Sequence, residues 1–109
     1  MPLVRSSGGG SGNGYYEYVT SLPSNTWTLV ECGFEPDRAN ITLISGSATQ
    51  SYDFDVKNQI LHRATGSTID QDAQGLLGDY IKSSGTQIGL YNYNGGFGSA
   101  MKVLAMKEA

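Results

Sequence analysis

Apolar and polar side chains alternate along much of this chain. The cleanest stretch is residues 50–56, where Tyr52, Phe54 and Val56 fall on one face and Ser51, Asp53 and Asp55 on the other. A period of two is the signature of a half-buried strand. Strand-like runs recur at residues 15–20, 27–32, 39–45, 59–63, 79–83, 86–93 and 100–106, separated by turn-forming residues. Lys57-Asn58 reads as a two-residue hairpin turn, and Asn94-Gly95-Gly96 as a further turn. Over residues 65–78 the pattern fails. Ser67-Thr68-Ile69-Asp70 offers a helix N-cap, but Gly75 and Gly78 oppose propagation, so a loop with at most one helical turn is expected. The expected fold is all-β: an antiparallel β-sandwich of about seven or eight strands, with a jelly-roll among the arrangements open to it.

Ahead of the first strand, Ser6-Ser7-Gly8-Gly9-Gly10-Ser11-Gly12-Asn13-Gly14 has no apolar area to bury and loses the most backbone entropy on ordering. Residues 1–14 read as a flexible Gly/Ser-rich arm or linker, native or engineered, and residues 15–109 as a single domain. The tract is no phosphate cradle, because the third glycine of a G-x-G-x-x-G pattern would fall on Tyr15.

Composition narrows the function classes. Only 16% of the 109 residues are charged, against the usual quarter or so. Fifteen glycines and seven tyrosines are present instead, the profile of a turn-rich β-domain whose surfaces meet other protein. A net charge of -3, with the basic residues scattered from Arg5 to Lys107, excludes a nucleic-acid stripe. The single cysteine, Cys32, excludes an intrachain disulfide framework and a multi-cysteine zinc site, and its place after Val30 reads as a buried small hydrophobe. No apolar run approaches the roughly 18 residues of a membrane span and no secretion signal opens the chain, so synthesis in a cytoplasm and no membrane partner are expected.

The segment Thr26-Trp27-Thr28-Leu29-Val30-Glu31-Cys32 runs into Gly33-Phe34-Glu35-Pro36-Asp37 and then into an apolar strand ending at Leu43-Ile44. Pro36 fixes its own φ and pushes Glu35 towards extended geometry, and Gly33 permits a conformation that a side chain would forbid. Phe34 is then free to bury its ring while the chain crosses to a new strand. This strand–Gly-Phe-x-Pro-Asp–strand arrangement, followed by Gly78-Asp79-Tyr80-Ile81-Lys82, Gln87-Ile88-Gly89-Leu90-Tyr91 and the closing Met101-Lys102-Val103-Leu104-Ala105-Met106, resembles the small β-domains of tailed-bacteriophage virion proteins. The resemblance runs from Thr26 onward. It implies a non-enzymatic structural component of tail, fibre or head decoration, located in the virion after synthesis in the host cytoplasm. Its partners would be other virion proteins and further copies of itself, a trimer among the options.

Candidate chemistry is thin. Asp70-Gln71-Asp72-Ala73-Gln74-Gly75 starts like a calcium loop, but the bidentate carboxylate needed at the twelfth position is replaced by Ile81. Asp53 and Asp55 share a strand face as a glycosidase pair would, without an apolar pocket to raise one pKa. His62 has no Gly-x-Ser-x-Gly elbow to serve. No cofactor, metal or catalytic residue is expected. The one cluster with a recognition character is Tyr91-Asn92-Tyr93-Asn94-Gly95-Gly96-Phe97. Tyr91, Tyr93 and Asn94 are the candidate binding residues, for a subunit interface or for a host-surface glycan. Alternation sends Ile88 and Leu90 to one face and Tyr91 and Tyr93 to the other.

Overall fold

The computed structural model describes residues 13–65 and 68–107. The strands are β1 (Asn13–Val19), β2 (Trp27–Glu31), β3 (Arg38–Ser45), β4 (Ala48–Asp55), β5 (Ile60–Thr65), β6 (Thr68–Asp72), β7 (Ile81–Ser84), β8 (Gln87–Tyr91) and β9 (Ala100–Lys107). They form two antiparallel sheets, ordered β1-β9-β3-β4-β5-β6 and β2-β8-β7. The fold is the expected antiparallel β-sandwich: eight principal strands, with the short β6 added at the rim of the larger sheet. Its β3-to-β6 run is a meander extended by β9 and β1, without the paired Greek keys of a jelly-roll.

The core follows from the alternation. Ala39, Ile41 and Leu43 of β3, Tyr52 and Phe54 of β4, Leu61 of β5 and Met101, Val103 and Ala105 of β9 point inward from the larger sheet. Val30, Ile81, Ile88 and Leu90 meet them from the smaller one. Phe54, fully buried, sits directly opposite Leu61.

The Gly33–Asp37 corner carries the chain from β2 in one sheet to β3 in the other. Gly33 has φ +83°, the region that disfavours a side chain, and its N–H donates to Glu31 Oε2 at 3.0 Å. Phe34 packs against the core and Pro36 is buried. The Asp37 N–H donates to the Met106 carbonyl (2.8 Å), while its own carbonyl accepts from Val56 (2.9 Å) and Lys57 (3.1 Å). The corner therefore knots β3, β4 and β9 at one end of the sandwich.

Three local expectations are corrected. Residues 65–78 are not a plain loop: β6 pairs with β5 through a bulge at Arg63/Ala64, and only Gln74–Leu76 makes a 3-10 turn. The Gln74 side chain explains the join, since its Oε1 accepts from the Leu61 N–H (3.1 Å) and its Nε2 donates to the Gln59 carbonyl (2.7 Å). The hairpin turn at Lys57-Asn58 widens to residues 56–59, with Gln59 at φ +57° and the Asp55 carboxylate capping Asn58. The first strand begins at Asn13, so the last two residues assigned to the arm are already in the sheet. Residues 1–12 lie outside the described residues.

Candidate functional site

Of the three residues singled out from sequence, Tyr91 lies in a strand and Tyr93 and Asn94 in the turn that follows it. Tyr91 ends β8 and points outward from the smaller sheet, opposite Trp27, with ring centroids 5.5 Å apart. Tyr93 lies beyond the strand in a 3-10 turn (Tyr93–Gly95), half exposed, its ring 6.0 Å from that of Tyr80. Asn94 takes φ +52°, and its N–H donates to Asn25 Oδ1 at 2.9 Å. The strand alternation that sets the face of Tyr91 therefore does not extend to Tyr93.

Asn92 separates them, and sequence reasoning passed over it. It is the one polar side chain buried among the described residues, fully enclosed. Its Nδ2 donates to the carbonyls of Leu22 (2.9 Å) and Gly98 (3.0 Å), and its Oδ1 accepts from the Phe97 N–H (2.9 Å). The backbone does the same: its carbonyl accepts from Asn25 at 2.7 Å and its N–H donates to Thr26 at 3.3 Å. Asn92 is thus the node that fixes the 22–26 and 92–98 loops to each other. The signal was its position: the core-face series Ile88, Leu90 arrives next at an asparagine.

On the outer face of the smaller sheet, Gly89 lies directly opposite Leu29. A Cβ on Gly89 would stand 2.9 Å from Leu29 Cδ2 and 3.2 Å from the Trp27 ring, so both side chains lean across bare backbone. Lys82 Nζ lies 4.2 Å from the centroid of the Trp27 ring, a cation–π contact. Tyr91 and Lys82 pack on the Trp27 ring there, while Leu29 remains half exposed.

At the loop end, Phe97 packs 5.6 Å from Tyr80 and also walls a cleft of about 240 Å³. Leu43 and Tyr52 line the cleft with Ser45, Thr49, Gln50 and Gly96. Apolar floor and hydroxyl and amide rim give it a mixed lining.

The outer face of the larger sheet is different again. Tyr16 (56% exposed) and Tyr18 (50%) of β1 stand beside Leu104 (42%) and Met106 (40%) of β9. Their register makes two rows, Tyr16–Leu104 and Tyr18–Lys102, with Met106 opposite Gly14. The sole charge among them is Lys102, whose Nζ lies 5.6 Å from the Tyr18 ring centroid.

Tyr15 of β1, Glu31 at the end of β2 and Cys32 just after it all have shifted pKa values. Burial pushes the Cys32 thiol up to about 11, helped by the charges of Glu31 and Glu17. The hydrogen bond from Tyr15 to Glu17 Oε1 (2.5 Å), with burial added, raises the phenol to about 12. Hydrogen bonds from Thr86 and from the Gly33 N–H hold Glu31 below the usual carboxylate range. Asp53 and His62 face each other across β4 and β5, but Asp53 Oδ2 is engaged by Arg38 at 3.1 Å. The acidic run that resembled a calcium loop enters β6. Among the described residues, no three or more His, Cys, Asp and Glu side chains are grouped to hold a metal ion, and no helix is long and apolar enough to cross a membrane.

Comparison with known proteins finds no matching family model, no matching curated protein and no matching solved structure.

Proposed function

We propose that this chain is a non-enzymatic structural domain that works by protein–protein assembly, in the setting its corner and closing strands resemble: the tail, fibre or head decoration of a tailed bacteriophage. Its partners are other virion proteins and further copies of itself. The observation that carries the assembly reading is the outer face of β1 and β9, where four large apolar side chains stand exposed in adjacent rows. Contiguous apolar surface of this kind is how soluble domains meet other proteins. Many such contacts, each weak, sum through multivalency on a repeated particle. Mass spectrometry of purified particles made from the genome encoding the chain tests the setting. The chain is expected among the particle proteins at stoichiometric level; its absence would end the virion reading.

A second reading, a module that binds a host-surface glycan, is favoured by one observation: the cleft beside Phe97, with the exposed ring of Tyr93 nearby on Tyr80. Sugar sites combine apolar ring faces with amide and hydroxyl groups in this way. Under this reading Tyr93→Ala and Gln50→Ala keep the fold and the assembly state but lose glycan-array signal. A parent protein with no array signal sinks it.

A further inference from the structure

We infer that β1 pairs with the β1 strand of a second copy of this chain, antiparallel about a two-fold axis through Tyr16, so that two larger sheets join into one. The inference rests on the assembly reading and names its first contact. Among the described residues no strand pairs with the other edge of β1. This edge is seven residues long, with no proline and no bulge against β9. Edge strands in monomers are usually short, bulged or guarded by proline or lysine, because unpaired N–H and C=O groups template further pairing.

A strand that meets its own copy in antiparallel fashion makes an isologous, self-closing contact. Free edge groups alternate along a strand, so residues of equal parity must face each other and the axis must pass through a residue. Placing it at Tyr16 uses all of β1 from Asn13 to Val19. Placing it at Glu17 would set two carboxylates against each other, which destabilises a cross-strand pair. With the axis at Tyr16, each Glu17 faces the second copy's Tyr15 instead, whose phenol would donate across the pair in place of the bond it makes within its own strand. The inward charge that would otherwise guard the edge thereby faces a phenol rather than a second carboxylate.

The outer face agrees with the same register. Leu104 lies opposite Tyr16, so the axis gathers one apolar row: Leu104, Tyr16, the second copy's Tyr16, the second copy's Leu104. In the neighbouring row Tyr18 faces the second copy's Gly14, beyond which lies its Met106. The tyrosine ring would lie across a glycine, as Trp27 lies across Gly89 within the smaller sheet. Tyr16, Tyr18 and Met106 then gain apolar neighbours from the second copy, and Leu104 flanks the row through its own Tyr16.

Sedimentation analysis of the full chain over a concentration series is the test. A monomer–dimer equilibrium is expected; a monomer at every soluble concentration, or a trimer, overturns the inference. Tyr16→Lys should weaken the dimer about tenfold or more, by placing two ammonium groups at the axis, and leave circular dichroism unchanged. Leu29→Lys, exposed on the other sheet, should leave the dimer intact, and the reverse pattern overturns the proposal. Gly14→Val separates register from folding. In the monomer a Gly14 Cβ meets only the Ala105 carbonyl, at 4.0 Å, and valine suits a strand, so stability is expected to hold or rise. The dimer is expected to weaken because the seat of Tyr18 is filled; a strengthened dimer contradicts the register. A monomeric chain that is nevertheless found in purified particles would overturn this contact and leave the assembly reading standing. A dimeric chain missing from particles would do the opposite.

Discussion

The two outer faces of this sandwich carry similar side chains and differ in what those side chains touch. On the smaller sheet, Trp27 and Leu29 lean over Gly89 and the Tyr91 ring and Lys82 pack on Trp27, with Leu29 alone left half exposed (51%). On the larger sheet, Tyr16, Tyr18, Leu104 and Met106 stand out into solvent at the edge formed by β1 and β9. Aromatic content alone does not separate a packed face from an open one. The difference lies in the glycine: Gly89 is central in its sheet and gives the rings a floor, whereas Gly14 is on the edge strand and has no ring above it within the chain.

The most damaging change on the closed side is expected at Asn92, which anchors the loops beyond Tyr91. Asn92→Ala leaves two carbonyls and one N–H without their partner in a buried site. At about 1 kcal/mol or more for each orphaned group, the expected loss is about 3 kcal/mol or more. Chemical denaturation measures it, and a loss within experimental scatter would mean that solvent reaches the node. Gly89→Val comes next, at about 1–3 kcal/mol, because the new side chain must push Leu29 and Trp27 aside. Trp27 fluorescence should shift with it. If Gly89→Val were silent, the smaller sheet's face would be as open as the larger one's and the contrast would collapse.

How much of this was legible in the sequence varies with the physics involved. The Tyr52/Phe54/Val56 alternation and the Gly33-Phe34-Glu35-Pro36-Asp37 corner were readable because each is local: one needs only a period of two, the other only the backbone limits of glycine and proline. β6 was not readable, since Thr68–Asp72 has no apolar alternation and is joined to β5 by long-range partners, among them the Gln74 side chain on Leu61 and Gln59. The candidate site was half legible. Tyr91 was assigned correctly to the outer face, but extending the alternation to Tyr93 failed because the strand stops where Asn92 turns inward. The apolar edge of β1 was visible as residues and invisible as a surface, because its neighbour in space is β9, at the far end of the chain.

The seam between the two regions supplies a pH test. Tyr15 of β1 and Cys32 after β2 both titrate above their ordinary values, to about 12 and about 11. An acid whose folded pKa is raised is held neutral by the fold, while the unfolded chain ionises earlier. The associated stability is fully present below the unfolded cysteine value, near 9, and is lost as pH rises through about 11. By pH 10 the loss from Cys32 should reach about 1 kcal/mol, with Tyr15 adding to it at higher pH. Urea midpoints at pH 7 to 10 check this, with Cys32→Ala as the control expected to flatten the decline. An equally steep decline in that variant would assign the effect elsewhere.

The smallest stability effect is expected on the open side, where the functional effect should be greatest. Tyr18 is half exposed, with Lys102 Nζ 5.6 Å from its ring centroid, so Tyr18→Ala should change monomer stability by no more than about 0.5 kcal/mol. The equivalent truncation on the closed side, Tyr91→Ala, removes a ring packed on Trp27 and should cost about 1 kcal/mol or more. Association should reverse that order. Tyr18→Ala is expected to weaken self-association, whereas Tyr91→Ala leaves it intact, because Tyr91's contacts are already made within the monomer. Measuring both variants by denaturation and by sedimentation gives a crossed pattern if the two faces differ as described. Parallel effects, with each variant losing both or neither, would mean that exposure rather than missing contact governs these tyrosines, and the distinction between the faces would not hold.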